Sequence, residues 1–217
     1  WLLPTQTAGK VYPYVFTQCQ AIHARSLLPC QDAPAVKFTY RATVTSPIWA
    51  TAVLSAVHES TEVVNNVKTT VWKQSVPISS YLLALAVAQL ERRELSSRCA
   101  VYSEPGVVDA AAYEFAETED FLKTAEAIAG TPYQWTRYDL LCLPPSFCYG
   151  GLENPCMTFV TPTLLAGDRS LAGVVAHEIA HSWTGNYVTC ATWDHFWLNE
   201  GWTVWFERKI KARRQGA

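Results

Sequence analysis

Two histidines four residues apart, His177 and His181, constrain this chain more than any other feature. Residues four apart share one face of an α-helix, so both imidazoles can point at one position. Glu178 follows the first histidine directly, and Glu200 opens a second amphipathic run after an interval of eighteen residues. Two histidines and a carboxylate are a recurring ligand set of zinc in hydrolases, where water takes the fourth position. The spacing therefore predicts a zinc site held by His177, His181 and Glu200.

The helix that carries the histidines has a start signal and an apolar face of its own. At its first turn, Asp168 or Ser170 is expected to cap the free backbone amides. The apolar face is expected to pack on a core, and it consists of Leu171, Val175, Ile179 and Trp183. The opposite face would then present Val174 and the two histidines to the site.

Glu178 is the candidate general base. A zinc ion with one open position lowers the pKa of its bound water toward neutrality and polarises a substrate carbonyl. Glu178 lies beside a ligand without pointing straight at the metal, so it can take a proton from that water and pass it to a leaving amine. The three fixed residues of this motif also occur on solvated helix faces, and it is the surrounding sequence that favours the metal site.

An upstream motif, residues 150–154, adds a candidate substrate site. Two adjacent glycines, Gly150 and Gly151, let the backbone come close to a substrate strand because no Cβ intervenes. Glu153 offers a carboxylate that can pair with a free α-ammonium group, so that only the first peptide bond of a substrate would reach the zinc. A glycine pair alone is typical of an ordinary turn, and its combination with Glu153 and a zinc helix favours the functional interpretation.

Together these motifs resemble the gluzincin zinc aminopeptidases. The resemblance is carried by residues 150–155, by His177, Glu178 and His181, and by Glu200, and it extends to stretches near the start such as 1–10 and 18–23. Within the family, the motifs are most similar in sequence to those of members that also open a lipid epoxide, as in leukotriene biosynthesis. A branch specific for N-terminal Arg or Lys is the near neighbour.

The resemblance implies a set of substrate-binding residues: Gln20, Tyr149, Gly150, Gly151, Leu152 and Glu153. Glu153 is implied to anchor the substrate amine. Gln20 is implied to line the pocket for the first residue, with Tyr149 beside it. Leu152 stands where the family usually has Met, an apolar side chain of similar volume, so little change is expected.

The function implied is a zinc-dependent aminopeptidase that removes N-terminal residues from peptides and holds one Zn²⁺ per chain. Three alternatives stay open: an additional lipid epoxide hydrolase activity, specificity for N-terminal Arg or Lys, and an impaired remnant that serves as a binding or structural module. We expect the chain to be truncated at both ends. The tyrosine with which the family stabilises the oxyanion is not found after Glu200, and losing one such donor costs roughly 100- to 1,000-fold in turnover.

Composition argues against other classes of protein. A net charge of −2 leaves no basic surplus for nucleic acid or an anionic membrane. The longest apolar run, 81–90, is about half of what a bilayer span requires. The seven cysteines are odd in number and lack C-x-x-C spacing, so they are interpreted as reduced thiols. With no signal peptide at the start, we expect a cytoplasmic monomer that acts on peptides with a free N-terminus.

The pattern along the chain predicts an α+β fold. Residues 1–92 are expected to be built of β-strands, because polar and apolar residues alternate over 36–44 and strand candidates follow at 50–57, 69–75 and 81–90. The family resemblance implies that they are the C-terminal portion of a β-sandwich domain. Residues 93–217 are expected to be the first part of a thermolysin-like zinc-peptidase domain. That part contains a helical pattern over 107–129, buried strands at 138–143 and 157–160, and the two zinc helices.

Several aromatic and polar residues near the motifs have more than one interpretation. Trp183, Trp197 and Trp205 occupy core-like helical positions and are expected to pack inside. Asp194 could orient a ligand histidine, although a surface role is equally compatible with the sequence. His23 and His195 are not expected to be ligands.

Overall fold

The computed structural model describes residues 1–216 and has the α+β architecture that the sequence predicts. The strands are β1 (Val15–Phe16), β2 (Lys37–Pro47), β3 (Thr51–Leu54), β4 (Val57–Val64), β5 (Val67–Ser79), β6 (Leu85–Ala88), β7 (Glu91–Glu94), β8 (Cys99–Ser103), β9 (Tyr138–Cys142), β10 (Gly151–Leu152) and β11 (Met157–Val160). The helices are α1 (Val108–Glu114), α2 (Thr118–Ala129), α3 (Gly173–His181) and α4 (Trp197–Gln215). Short 3₁₀ turns lie at Pro4–Gln6, Ala24–Ser26, Ser80–Leu82, Pro162–Leu164 and Trp193–His195.

The first part of the chain forms two small antiparallel sheets. Their strand orders are β2-β5-β4 and β1-β6-β3. Exposed and half-buried residues alternate along β2, as the pattern over 36–44 predicts. Ala52, Leu54 and Trp72 form a core between the sheets. The β-rich character expected for this part is confirmed.

The apolar run 81–90 is not one strand, and that prediction is wrong in its first part. Its start forms the 3₁₀ turn Ser80–Leu82, and only Leu85–Ala88 are extended as β6. The reason is topological, because β5 belongs to one sheet and β6 to the other, so the chain must change direction between them. Tyr81 and Leu82 are fully buried in this turn.

A five-stranded mixed sheet follows, in the order β10-β11-β9-β8-β7. β8, β9 and β11 run parallel to one another, while β7 and β10 are antiparallel edge strands. All residues of β9 and β11 are buried, as expected for the two predicted strands. The predicted domain boundary between residues 92 and 93 falls inside β7 and stays a prediction.

The helical pattern over 107–129 is interrupted once. α1 ends at Glu114 and α2 begins at Thr118, whose hydroxyl donates to the carbonyl of Phe115. Glu114 is buried, and its carboxylate accepts hydrogen bonds from the backbone amides of Gly167 and Arg169. The break lets α1 hold this distant loop while α2 packs against the later helices. Gly130 ends α2 in the left-handed conformation.

The histidine helix begins later than its start signal predicts. α3 starts at Gly173, and its N-terminal flanking residue, Ala172, provides no side-chain cap. Asp168 accepts a hydrogen bond from the amide of Ser170, so it stabilises the preceding turn instead. Val175, Ile179 and Trp183 are buried as expected, whereas Leu171 lies outside the helix and is 44% exposed.

Two of the three tryptophans expected in the core are on the surface. Trp183 is buried against Phe206, but Trp197 and Trp205 are 65% and 51% exposed. On α4 the buried positions are Asn199, Thr203, Phe206 and Ile210. Trp205 precedes a buried position by one residue, about 100° around the helix, and therefore faces away from α3. Every helix within residues 1–216 is too short or too polar to span a bilayer.

Candidate metal centre and active site

Helices α3 and α4 bring the three predicted zinc ligands together. Nε2 of His177 and Nε2 of His181 are 3.1 Å apart. The carboxylate of Glu200 lies 3.5 Å from the first of these atoms and 3.4 Å from the second. His181 is buried and Glu200 lies at the first turn of α4. The side chains that the sequence places far apart thus converge on one position.

These distances fit the coordination of zinc. A tetrahedral zinc ion with ligand bonds of about 2.0–2.2 Å places its ligand atoms roughly 3.3–3.6 Å apart. Nε2 of His177 lies 3.5 Å from Oε2 of Glu200 and Nε2 of His181 lies 3.4 Å from Oε1, both within this range, while the two Nε2 atoms are slightly closer at 3.1 Å. The two Nε2 atoms and the two carboxylate oxygens of Glu200 can direct lone pairs toward one position, an arrangement that a shared cation stabilises. The residues present therefore fit the metal that the motif predicts.

The remaining imidazole nitrogens are held by residues that sequence reasoning missed. Nδ1 of His177 lies 2.9 Å from a carboxylate oxygen of Glu207. Nδ1 of His181 lies 3.0 Å from the backbone oxygen of Thr184 and 3.0 Å from the hydroxyl of Thr203. A proton on Nδ1 leaves Nε2 free to coordinate a metal. The available signal was the position of Glu207, two helical turns after Glu200.

Asp194 does not hold a ligand histidine. It is exposed in the 3₁₀ turn Trp193–His195, which fits the surface alternative. His195 is exposed in the same turn. Glu207 occupies the orienting position because α4 packs along α3, whereas the side chains of Asp194 and His195 in the turn before α4 are exposed to solvent.

The site has a strongly negative electrostatic environment. Burial alone would lower the pKa of His177, but its hydrogen bonds with Glu200 and Glu207 and the nearby charges of Glu178 and Glu200 raise the pKa to about 9. Burial would raise the pKa of Glu200, but its hydrogen bond with His177 and the histidine charges lower it. The charges that favour a protonated imidazole favour a bound cation for the same Coulombic reason.

Glu178 is buried beside the histidines and packs against the glycine of β10. Its pKa is raised well above the usual range, first by burial and then by the negative charge of Glu153. A Cβ at Gly151 would lie 2.1 Å from Oε1 of Glu178. The absence of a side chain at Gly151 is therefore what makes room for the candidate base.

Glu153 is a buried carboxylate, 4% exposed, whose backbone oxygen accepts a hydrogen bond from Asn186. Its Oε1 lies 4.0 Å from Nδ1 of His181, and within residues 1–216 no group forms a hydrogen bond with it. A buried carboxylate oxygen without a partner is energetically unfavourable. Glu153 is thus ready to accept a hydrogen bond from a ligand.

A cavity of about 740 Å³ joins these groups. Its wall includes Gln20, Ala21, Tyr149, Gly150, Gly151, Glu153, Val174, His177, Glu178, His181, Trp193, Phe196, Glu200 and Glu207. Five of the six residues with an implied substrate-binding role line it. Leu152 does not, because in β10 its side chain points to the opposite side from the adjacent residues and is buried with Phe159 in the core.

Comparison with known proteins places this fold and site in a family. The model described as the Peptidase family M1 domain matches residues 113–216, and the model described as the Peptidase M1 N-terminal domain matches residues 4–82. The chain belongs to peptidase family M1, and the expected resemblance is confirmed.

Particular relatives can then be named. Leukotriene A-4 hydrolase of Xenopus laevis is 57% identical over the whole chain, which covers 36% of that protein. Aminopeptidase B of Rattus norvegicus is 52% identical over the whole chain, which covers 33% of it. The solved structure of native yeast LTA4 hydrolase superimposes with a TM-score of 0.92 at 46% identity, over the whole chain and 34% of its own. The chain therefore spans about a third of the length of the relatives it matches.

Proposed function

We propose that this protein is a zinc-dependent aminopeptidase that removes N-terminal residues from peptides. The observation that carries the proposal is the buried carboxylate of Glu153, which lines the same cavity as the histidine pair and has an oxygen without a hydrogen-bond partner among residues 1–216. The α-ammonium group of a peptide would provide both the missing donor and the compensating charge. Membership of peptidase family M1 supports the reaction class.

His177, His181 and Glu200 are the residues that would hold the zinc. When bound, the ion supplies a Lewis acid that polarises the substrate carbonyl and makes a water molecule more acidic. The protein's own contribution is orientation, because Glu207 and the Thr203 and Thr184 oxygens direct Nε2 of each histidine inward.

Glu178 is the proposed general base. It lies next to His177 in sequence and lines the cavity, so a water molecule between this carboxylate and the ligand cluster is within its reach. Burial and the negative charge of Glu153 raise its pKa, so this carboxylate holds a proton more strongly than a solvent-exposed glutamate does. A group of that kind can accept a proton from water and then return it to the leaving amine.

The substrate strand is proposed to lie along β10. This strand is at the edge of its sheet, paired only with β11 among the strands of residues 1–216, so its outer backbone groups are available to an extended peptide. The carboxylate of Glu178 lies against the Cβ position of Gly151. Glu153 follows Gly151 by two residues in the sequence. A peptide held there by its amine would present its first peptide bond to the base and the ligand cluster.

The test uses paired substrates that differ only at the N-terminus. The purified full-length protein should hydrolyse an aminoacyl amide and leave its N-acetylated form intact. Replacing Glu153 with Gln should lower kcat/KM for the free amine by a factor that corresponds to about 2–5 kcal/mol, because a buried charge pair loses one partner. Equal cleavage of both substrates would refute the exopeptidase assignment. No hydrolysis with zinc bound would favour the impaired remnant.

A second activity, opening of a lipid epoxide, is favoured by one observation. The cavity wall contains the apolar side chains of Val174, Trp193 and Phe196 beside the ligand cluster, and these could contact a hydrocarbon chain. The 57% identity with a protein named leukotriene A-4 hydrolase agrees with it. Arginyl, alanyl and epoxide substrates assayed in parallel would separate this activity from an Arg- and Lys-specific aminopeptidase.

A further inference from the structure

A lysine on α4 extends the contacts of the candidate metal site by one more residue. Glu207 divides its two carboxylate oxygens between two partners: Oε2 lies 2.9 Å from Nδ1 of His177, and Oε1 accepts a hydrogen bond from Nζ of Lys211. Glu207 is 18% exposed and Lys211 is 36% exposed, so the pair is partly shielded from solvent. Both oxygens of the Glu207 carboxylate are therefore engaged by a partner.

Gly173, the first residue of α3, provides the space for this contact. A Cβ at that position would lie 2.6 Å from Cε and 2.7 Å from Nζ of Lys211. Its backbone has no positive φ that would require glycine. The glycine at the start of α3 therefore leaves room for the end of the Lys211 side chain, which lies over it.

We propose that Lys211 is a positioning residue for the metal site, which acts through Glu207 to hold His177 in the orientation that binds the metal. The inference rests on the zinc site of the proposed function. His181 is held differently, by the neutral oxygens of Thr184 and Thr203. The two ligand histidines therefore differ in how their orientation is secured, and only His177 depends on a charged pair.

The physical basis is restriction of rotamers. A glutamate with one hydrogen bond retains rotational freedom about its side-chain bonds, whereas one bound through both oxygens has a fixed carboxylate plane. Lys211 is four residues after Glu207, the spacing at which side chains on a helix contact each other. Removing Lys211 releases Glu207 and, through it, His177, without removing any ligand.

The test is a double-mutant cycle on zinc affinity, measured by competition with a chromogenic chelator in the purified full-length protein. E207Q should weaken zinc binding by roughly 10- to 100-fold, the range found for groups that orient ligands, and K211M by about 5- to 10-fold. K211M added to E207Q should have little further effect, because both act through one contact. G173A forces the end of the Lys211 side chain to shift, so it should weaken zinc binding by no more than K211M does.

Lys209→Met is the matched control. Lys209 is exposed on the same helix, with its Nζ 5.6 Å from the ring centroid of Trp205 and directed away from the site. Zinc affinity in K209M should equal that of the wild type. The inference is overturned if K211M matches K209M, or if K211M weakens binding equally in the E207Q background. Wild-type protein that binds no zinc would refute the proposed function and this inference with it.

Discussion

Replacing Gly151 with alanine is expected to disable the proposed base without touching a ligand. The new Cβ would lie 2.1 Å from Oε1, 2.4 Å from Cδ and 2.8 Å from Cγ of Glu178. Ordinary contact begins at 3.4 Å, so the carboxylate must retreat by more than about 1 Å. Glu178 is 4% exposed and cannot make this move without leaving its place in the wall.

The expected loss of activity follows from this displacement. A misplacement of about 1 Å at a reacting group can cost roughly 100-fold in rate. Complete loss of a general base costs about 100- to 10,000-fold. We therefore expect kcat of G151A to fall at least about 100-fold, which corresponds to roughly 2.7 kcal/mol in the barrier. Zinc content should stay at the wild-type level, because His177, His181 and Glu200 are unaltered.

The assay is steady-state hydrolysis of an aminoacyl amide, with zinc content and melting temperature measured on the same samples. Gly150→Ala is the matched control, because a Cβ at Gly150 would have no atom within 4 Å. Because Gly150 also lines the cavity, G150A should lower kcat far less than G151A does, and any contact of its methyl group with the substrate would raise KM instead. E178Q supplies the second comparison, and G151A should add little to it because the two changes act on one group.

Two results would refute this reasoning. The first is G151A with turnover close to that of the wild type, which would mean that Glu178 is not the base or that it adapts without cost. The second is an equal loss in G150A, which would point to the glycine pair as a flexible turn. A fall in activity accompanied by loss of zinc would mean that the ligand cluster itself had been disturbed.

Two further outcomes are expected from the metal and from an ion-pair cluster. Removing zinc with a chelator should abolish hydrolysis and lower the melting temperature, because a ligand at 100 times its Kd adds about 2.7 kcal/mol to stability; an unchanged melting temperature would contradict the site. Arg98→Met should lower the free energy of unfolding by about 1–3 kcal/mol at neutral pH, since Arg98 bonds Glu119 and Glu126. The hydrogen bond from Arg98 lowers the pKa of Glu126. Burial would raise the pKa of Glu119, but hydrogen bonds from Ser96, Cys99 and Arg98 lower it. A carboxyl group whose pKa is lowered in the folded state stabilises the fold at pH values above its unfolded pKa of 4.5. The difference in unfolding free energy between Arg98→Met and the wild type should therefore shrink below that pH. A difference that stays constant down to acid pH would refute the role of these ion pairs.

The sequence predicted the cluster of candidate ligands because local helical geometry is enough for two of its three members. His177 and His181 are one helical turn apart, and that relation holds in any fold that keeps the helix. Glu200 needed the additional assumption that the next helix folds back on the first. The structure brings its carboxylate to 3.4 Å from His181, and its role as a ligand stays a prediction.

The reason for Gly151 was only partly visible in the sequence. Glycine was expected there so that the backbone could approach a substrate strand. The structure adds a different cause, the side chain of Glu178 pressed against the same position. These residues are far apart along the chain, and their contact depends on how α3 crosses the edge of the sheet.

Burial of the tryptophans shows the limit of periodicity. Trp183 and Trp205 both recur at helical intervals, yet one is buried and the other is 51% exposed. A periodic pattern defines a face of a helix and leaves open whether another element covers it. The position of α4 against α3 decides which aromatic rings are enclosed.

The amino-acid sequence by itself determined the β-rich character of the first part of the chain, the spacing of the histidines and the family to which the chain belongs, because each depends on residues close together or on fixed motifs. The tertiary structure decided what surrounds those motifs: Glu207 and Lys211 behind one histidine, two threonines behind the other, and an oxygen of Glu153 left without a partner within residues 1–216. Such contacts join elements distant in sequence, and only the packing of α3, α4 and the edge strand β10 brings them within hydrogen-bonding distance.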